Sequence, residues 1–425
     1  MKFKYVIVGG SAGGIGAVEA IRAIDKIGTI AVISDEPTPQ YSKPMISEYL
    51  GEGKKLPEII YRPLKFWEEH SVKIIGGKKV VKVDARAREV TLEDEEIIGF
   101  EKLLIATGGK PIIPKTDGAD KKGVYTFTSL ADAQALEEKL SGADKVVVVG
   151  GGLIGVSLTE ALVKLHKNVT VVELKDRILS LILDSKGSAI MTEAVEQAGA
   201  KIVTGHYVTK ILGRKDSEAQ VGGVVLDDGT EGASDLVVFA IGVTPRVEII
   251  DPNQIKINRG VVVDRSMATS APSVYACGDA AEAYDFTYGD SRVLPLWPLA
   301  YVGGRVAGSN MAGLKVEYPG GTQMSALNYF DIPVITVGIV NPPYGDEYEI
   351  LSNMHQENRV YRKIVLRNNI VVGMILIGKV ENAGVIFDLL KNNVDVSAMK
   401  EKIISEDFGL LHLDEPIRRE MLRRE

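Results

Sequence analysis

The chain has 425 residues, 50 Lys and Arg against 57 Asp and Glu for a formal charge of −7, and one cysteine, Cys277. That length exceeds a single hydrophobic core and predicts two or three domains. One thiol excludes an intrachain disulfide and any redox chemistry needing a dithiol pair within the chain, and the acidic balance argues against nucleic acid or anionic membrane as main partner.

The opening run MKFKYVIVGG breaks into glycine after the apolar stretch Tyr5–Val8, which predicts a buried strand and not the apolar region of a signal peptide. No stretch approaches the ~20 apolar residues of a membrane span, so a cytoplasmic chain without such a span is expected. Next come Gly9-Gly10-Ser11-Ala12-Gly13-Gly14 and a helical stretch, Ile15–Ile24. Strand, glycine turn and helix form the opening of a βαβ unit, in which a helix N-terminus holds phosphates with its free N–H groups. A second apolar run follows, Ile30–Ile33, closed by Ser34-Asp35-Glu36. Asp35 and Glu36 are both candidates for the carboxylate that accepts hydrogen bonds from an adenosine ribose.

The same order recurs at Val146–Val149, Gly150-Gly151-Gly152-Leu153-Ile154-Gly155 and the helical stretch Val156–Leu165. There the acid is Glu173, 23 residues beyond Gly150. A longer match supports duplication. Val90–Asp94 with Glu101–Pro111 recurs without gaps 134 residues later as Val224–Asp228 with Asp235–Pro245. Both copies leave their strand through A-x-G-x-x-P, at Ala106-Thr107-Gly108 and at Ala240-Ile241-Gly242. Two copies of one nucleotide-binding architecture, hence two dinucleotide sites, are the simplest account.

Further along stand Ser273-Val274-Tyr275-Ala276-Cys277-Gly278-Asp279 and Trp297-Pro298 leading to Gly304-Arg305-Val306-Ala307-Gly308. With Tyr41-Ser42-Lys43-Pro44 and the two glycine motifs, this series resembles the FAD-dependent pyridine nucleotide-disulfide oxidoreductase superfamily over essentially the whole chain. The likeness is greatest to its rubredoxin and ferredoxin reductases, NADH oxidases and the nitrite reductase flavodomain.

The resemblance implies an α/β fold of two Rossmann-like domains with parallel sheets plus an α+β C-terminal interface domain. FAD would occupy a discontinuous domain, residues 1–112 and 245–318, NAD(P)H residues 113–244, and residues 319–425 would form the interface that pairs homodimers. It implies FAD contacts from Gly9, Ser11, Ala12, Gly14, Asp35 or Glu36, Lys43, Pro44, Ala106, Thr107, Gly108, Gly278, Trp297 and Pro298. Asp279 matches the aspartate that binds the flavin ribityl chain, and the helix from Pro298 would aim its positive end at the flavin pyrimidine. NADH contacts are implied for Gly150, Gly152, Leu153, Ile154, Gly155, Glu173 and Gly242.

Several residues depart from the family pattern. Ser11 replaces the middle glycine of the first motif, yet is small and can donate to phosphate. Pro44 stands where NADH oxidase and coenzyme A disulfide reductase relatives carry their redox cysteine, and the disulfide reductases' His-x-x-Pro-Thr segment is absent near the C-terminus, where His412 lies in Leu411-His412-Leu413-Asp414. Disulfide chemistry is therefore excluded, and Cys277 reads as a buried structural thiol. Ferredoxin reductases pair a Lys and a Glu near the flavin edge where this chain has Glu48 and Ser157. Losing both avoids an unpaired buried charge, about 3–5 kcal/mol, and implies a flavin edge built differently. Lys43 and Glu48 are the candidate catalytic residues at that edge.

Glu173 suits a 2′-hydroxyl and repels a 2′-phosphate, which favours NADH over NADPH, with Lys175 and Arg177 nearby as counterweights. The expected reaction is hydride transfer from NADH to flavin, then delivery of electrons to oxygen, another small molecule or a small redox protein such as rubredoxin. The alternative is a flavin-bearing, NADH-coupling subunit of a larger complex. The cluster Arg418-Arg419 with Arg423-Arg424 is a candidate docking surface for an acidic carrier, though such clusters commonly face solvent. The five histidines lack metal-ligand spacing, and no metal site or hydrolase nucleophile motif is expected.

Overall fold

The computed structural model describes residues 1–423. The chain divides into two compact units: Met1–Ile112 with Thr128–Ala133 and Val243–Gly321, and Ile113–Phe127 with Gln134–Gly242 and Thr322–Glu425.

In the first unit, the strands Val72–Gly76, Ile30–Ser34, Lys2–Val8 and Ile97–Ile105 lie side by side and parallel, and Val274–Ala276 joins the last of them. Their residues are rich in Val and Ile, and every residue of Ile30–Ser34 is buried, as a strand covered on both faces requires. The order reverses at Lys2–Val8: its successors lie to one side and Ile97–Ile105 to the other. A reversal of this kind opens a crevice at the carboxyl ends of the two strands, where α/β sheets bind ligands. Helix Ala12–Ile24 follows the first strand and packs on helix Trp297–Met311. The approach is so close that a Cβ at Gly304 would enter the Gly13 carbonyl, and one at Gly308 would stand 2.5 Å from the Ala17 carbonyl oxygen.

The second unit repeats the plan. Lys201–Thr204, Asn168–Glu173, Lys145–Val149, Leu236–Phe239 and Val124–Thr126 form a parallel sheet in that order. The sequence repeat is thus a structural one. In the first unit Val80–Asp84 and Glu89–Leu92 extend the sheet from the start of the continuous strand Ile97–Ile105. In the second, Val208–Gly213, Val221–Leu226 and Glu231–Ala233 form a separate antiparallel sheet, because the corresponding strand breaks before Leu236–Phe239. The two A-x-G-x-x-P exits meet within the first unit: Gly109–Pro111 pairs antiparallel with Val243–Pro245.

Residues beyond Gly321 add an antiparallel sheet in the order Met324–Tyr329, Ile332–Gly338, Ile370–Ile377, Val360–Arg367, Glu349–His355, followed by helix Ala383–Lys391. This α+β segment lies in the second unit, fastened by Asp184. That carboxylate caps helix Ser185–Gln197 through the Gly187 N–H (3.0 Å) and accepts from the Tyr361 hydroxyl (2.7 Å) and Lys363 (3.0 Å). No helix among the described residues is long and apolar enough to cross a membrane.

Candidate functional site

The two glycine turns have one geometry. The Gly9 N–H donates to the Ile33 carbonyl and the Gly150 N–H to the Val172 carbonyl, both at 2.8 Å. The Ala106 N–H donates to Val8 and the Ala240 N–H to Val149, again at 2.8 Å. Gly9 and Gly150 have φ of +111° and +113°, which L side chains rarely adopt, and a Cβ on either would press on the carbonyl of Ala106 or Ala240. Gly14 and Gly155, in the first turn of the helices that follow, back onto the carbonyls of Gly9 and Gly150 in the same way. Sequence spacing alone predicts this cradle, and both copies fold into it.

Between these fixed points the third turn residue is free. Ser11 and Gly152 are the N-caps of helices Ala12–Ile24 and Leu153–Lys164, both extended, and Ser11 makes no side-chain capping bond. A Cβ at Gly152 would meet no atom within 4 Å. The position therefore accepts serine without displacing backbone. In each helix the first-turn N–H groups have no partner within the helix, which leaves them free to donate to a ligand at the turn.

Asp35 and Glu36 have separate surroundings. Asp35 lines a pocket with Gly9, Ser34, Lys78, Thr107 and Arg246, and its carboxylate receives the Arg246 guanidinium at 2.6 Å. Arg246 is held there by its own backbone, whose carbonyl accepts from the Thr107 hydroxyl at 2.8 Å and whose N–H donates to the Gly108 carbonyl at 3.0 Å. Glu36 turns to Lys43 at 2.6 Å, and Lys43 lies 5.8 Å from the centre of the Tyr41 ring. The matched turns also reveal a residue that spacing alone misses. Val172 corresponds to Ile33, so Ser34, not Asp35 or Glu36, is the counterpart of Glu173. The internal repeat carries that signal once the register is known; Arg246, remote in sequence, leaves none.

Asp279 sits in the turn Gly278–Ala280 after strand Val274–Ala276. Burial raises its pKa, and the nearby Lys43 ammonium partly offsets that rise. Ala300, in the first turn of Trp297–Met311, packs against Gly278, so this helix starts beside Asp279. Pro298 occupies its first turn without losing a bond, and Trp297 stacks edge-on against Tyr61 at 5.2 Å. Pro44 lies in the short helix Lys43–Met45. Glu48, on helix Ile46–Gly51, is engaged by Lys54.

In the second unit both oxygens of Glu173 are occupied: one accepts from the Gly151 N–H at 2.6 Å, the other from the Lys175 N–H at 2.8 Å. Leu153 and Ile154 are half-exposed at the helix start, and Gly242 has φ +109° with open space around it. Arg177 is taken up by Asp176 at 2.8 Å. Ser157 hydrogen-bonds the Tyr329 hydroxyl, a residue that motif reading does not reach.

Residues 3–304 match the family model described as pyridine nucleotide-disulphide oxidoreductase. The chain belongs to that family. Residues 324–394 also match the rubredoxin NAD+ reductase C-terminal domain. The NADH oxidase of Methanocaldococcus jannaschii is 30% identical, over 84% of this chain and 86% of its own. The NADH-dependent phenylglyoxylate dehydrogenase subunit epsilon of Aromatoleum evansii is 29% identical, over 96% of each. The chain spans about half the length of two Bacillus subtilis (strain 168) relatives, 48% of the nitrite reductase [NAD(P)H] and 51% of the assimilatory nitrate reductase electron transfer subunit. Among solved structures, the water-forming NADH oxidase of Lactobacillus brevis has the same fold, with a TM-score of 0.86 at 20% identity, covering 99% of this chain and 98% of that one.

Within the pyridine nucleotide-disulphide oxidoreductase family, this member's thiol is sealed. Cys277 has no exposed surface, its sulfur lies behind Gly13 of the first helix, and burial with the nearby Asp279 pushes its pKa up to about 12. No group of His, Cys, Asp and Glu that could hold a metal ion occurs among the described residues. Arg418, Arg419 and Arg423 lie on helix Glu415–Arg423, with Arg419 paired to Glu415; Arg424 lies outside the described residues.

Proposed function

We propose that the chain is an FAD-dependent NADH oxidoreductase that passes electrons to an external acceptor without a redox disulfide. The observation that carries this reading is the duplicated cradle, Gly9 against Ala106 in one unit and Gly150 against Ala240 in the other, with no ionisable thiol at either. A flavin dinucleotide fits the first cradle because its backbone amides are unspent and Ser11 caps nothing. Bound there, FAD would accept two electrons as hydride from a nicotinamide and release them one or two at a time.

The chain's own residues supply binding and charge. The start of Ala12–Ile24 holds the pyrophosphate, Asp35 with Arg246 holds the adenosine end, and Asp279 and Lys43 hold the ribityl side. The positive end of Trp297–Met311 favours the negative charge that reduction develops. Leu153–Lys164 and Glu173 hold the second dinucleotide. NADH is preferred because Glu173 repels a 2′-phosphate and Asp176 engages Arg177. In this reading residues 1–112 and 245–318 carry FAD, 113–244 carry NADH, and 319–425 pair two chains as a cytoplasmic homodimer. Glu48, engaged by Lys54, is with Lys43 the candidate residue at the flavin edge.

The C-terminal match to a rubredoxin NAD+ reductase domain supports a small iron protein as acceptor, with oxygen the other choice. The second reading, an NADH-coupling subunit of a larger assembly, is favoured by one observation, the end-to-end likeness to a dehydrogenase subunit. Purified protein mixed anaerobically with NADH should lose its flavin absorbance near 450 nm. Rapid recovery on adding rubredoxin supports the first reading, and slow recovery with every soluble acceptor supports the second. A chain that binds no flavin defeats both.

A further inference from the structure

The hairpin joining Met324–Tyr329 to Ile332–Gly338 turns through Phe330 and Asp331, with φ of 51° and 61°. Two-residue turns of this kind favour Asn and Gly, and a bulky phenylalanine there is strained. Strain persists only where surrounding contacts hold it. Here they are bonds to helix Leu153–Lys164. The Tyr329 hydroxyl donates to the Leu153 carbonyl at 3.1 Å, and the Phe330 N–H donates to the Glu160 carboxylate at 3.2 Å. Ser157 meets the same tyrosine hydroxyl from one turn further along.

Leu153 is the first residue of the helix that follows the Gly150 turn. Its carbonyl and the Ile154 N–H belong to one peptide group. A hydrogen bond accepted by the carbonyl polarises that group, strengthens the N–H as a donor, and fixes the tilt of the turn that cradles an anion. We infer that Tyr329 is a positioning residue for the pyridine dinucleotide, setting the first turn of Leu153–Lys164 from the C-terminal sheet. The inference rests on the reading above that this turn holds NADH, and it gives residues 322–425 a part in nucleotide binding beyond pairing chains.

Tyr329→Phe keeps the ring and removes only the hydroxyl. With FAD-loaded protein, calorimetric titration with NAD+ should show a dissociation constant raised about five-fold, the scale of one neutral hydrogen bond. The KM for NADH should rise alike, with kcat and flavin content unchanged. Ser157→Ala, which frees the tyrosine hydroxyl to rotate, should weaken binding about two-fold in the same direction, and it decides the matter should Tyr329→Phe fail to fold. An unchanged dissociation constant in the folded variants overturns this inference and leaves the proposed function standing. A fall in kcat at unchanged KM overturns it too. Wild-type protein that binds flavin but no NAD+ overturns both.

Discussion

Residues 11 and 152 occupy one position of one turn, and the structure explains why a serine and a glycine serve equally there. Space is open at that position and closed two residues earlier. Ser11→Gly should therefore leave stability within a few tenths of a kcal/mol, the usual cost of serine to glycine at an N-cap, and leave the flavin-to-protein absorbance ratio unchanged. Gly9→Ala must put a side chain at φ +111° against the Ala106 carbonyl; it should cost about 3 kcal/mol in urea unfolding and yield flavin-free protein. Glu173 affords a second test. Its carboxylate orders Gly151 and Lys175 beside the turn, and in the proposed reading Glu173→Ala should raise the KM for NADH about ten-fold, as loss of one charged hydrogen bond predicts. The NADPH to NADH ratio of kcat/KM should rise with it. The place of Glu173 at the end of its strand beside the glycine turn was legible because its spacing from Gly150 is characteristic. Its counterpart in the first unit was not, since Ser34 holds that register position and two acids crowd behind it.

Among the elements, strands and helices flanking each glycine cluster are legible because a short Val- and Ile-rich run ending in glycine has few other uses in an α/β protein. Contacts between remote elements are not. Nothing in Gly304-x-x-x-Gly308 identifies Gly13 and Ala17 as the backbone it meets, and nothing near Asp184 points to Tyr361 and Lys363, almost 180 residues away. The Asp184 junction has a pH signature. Burial works to raise its pKa, but the Gly187 N–H, the Tyr361 hydroxyl and Lys363 outweigh it and hold the group below the usual carboxylate range. A carboxylate depressed in the folded state contributes stability above its unfolded pKa, about 3.9, and loses it as pH falls through the lower folded value. Asp184→Asn should thus cost about 3 kcal/mol at pH 7, since it leaves a buried lysine without its partner. Urea midpoints of the two proteins should converge as pH falls through the lower folded-state value.

At the scale of the whole molecule, duplication made the architecture readable: a gapless internal match and two glycine motifs imply two sheets of one design, and the second copy of that design differs mainly where Glu231–Ala233 separates from Leu236–Phe239. The hairpin bearing Tyr329 stayed hidden, because its role depends on a contact spanning 176 residues and on backbone strain that composition does not record. Ligand linkage gives a test at this scale. Stripping the flavin should lower the melting midpoint, and returning FAD at a hundredfold excess over its dissociation constant should restore about 2.7 kcal/mol. ADP, which lacks the ring system, should restore less.

The sealed thiol has a consequence for durability. Electrons that escape to oxygen produce peroxide beside the protein that released them, and peroxide attacks thiolates before other side chains. With Cys277 inaccessible and ionising only near pH 12, these 425 residues expose no thiolate to that attack. Loss of a redox cysteine narrows the chemistry available to this chain, and it also leaves a catalyst that its own stray product does not inactivate through a cysteine thiolate.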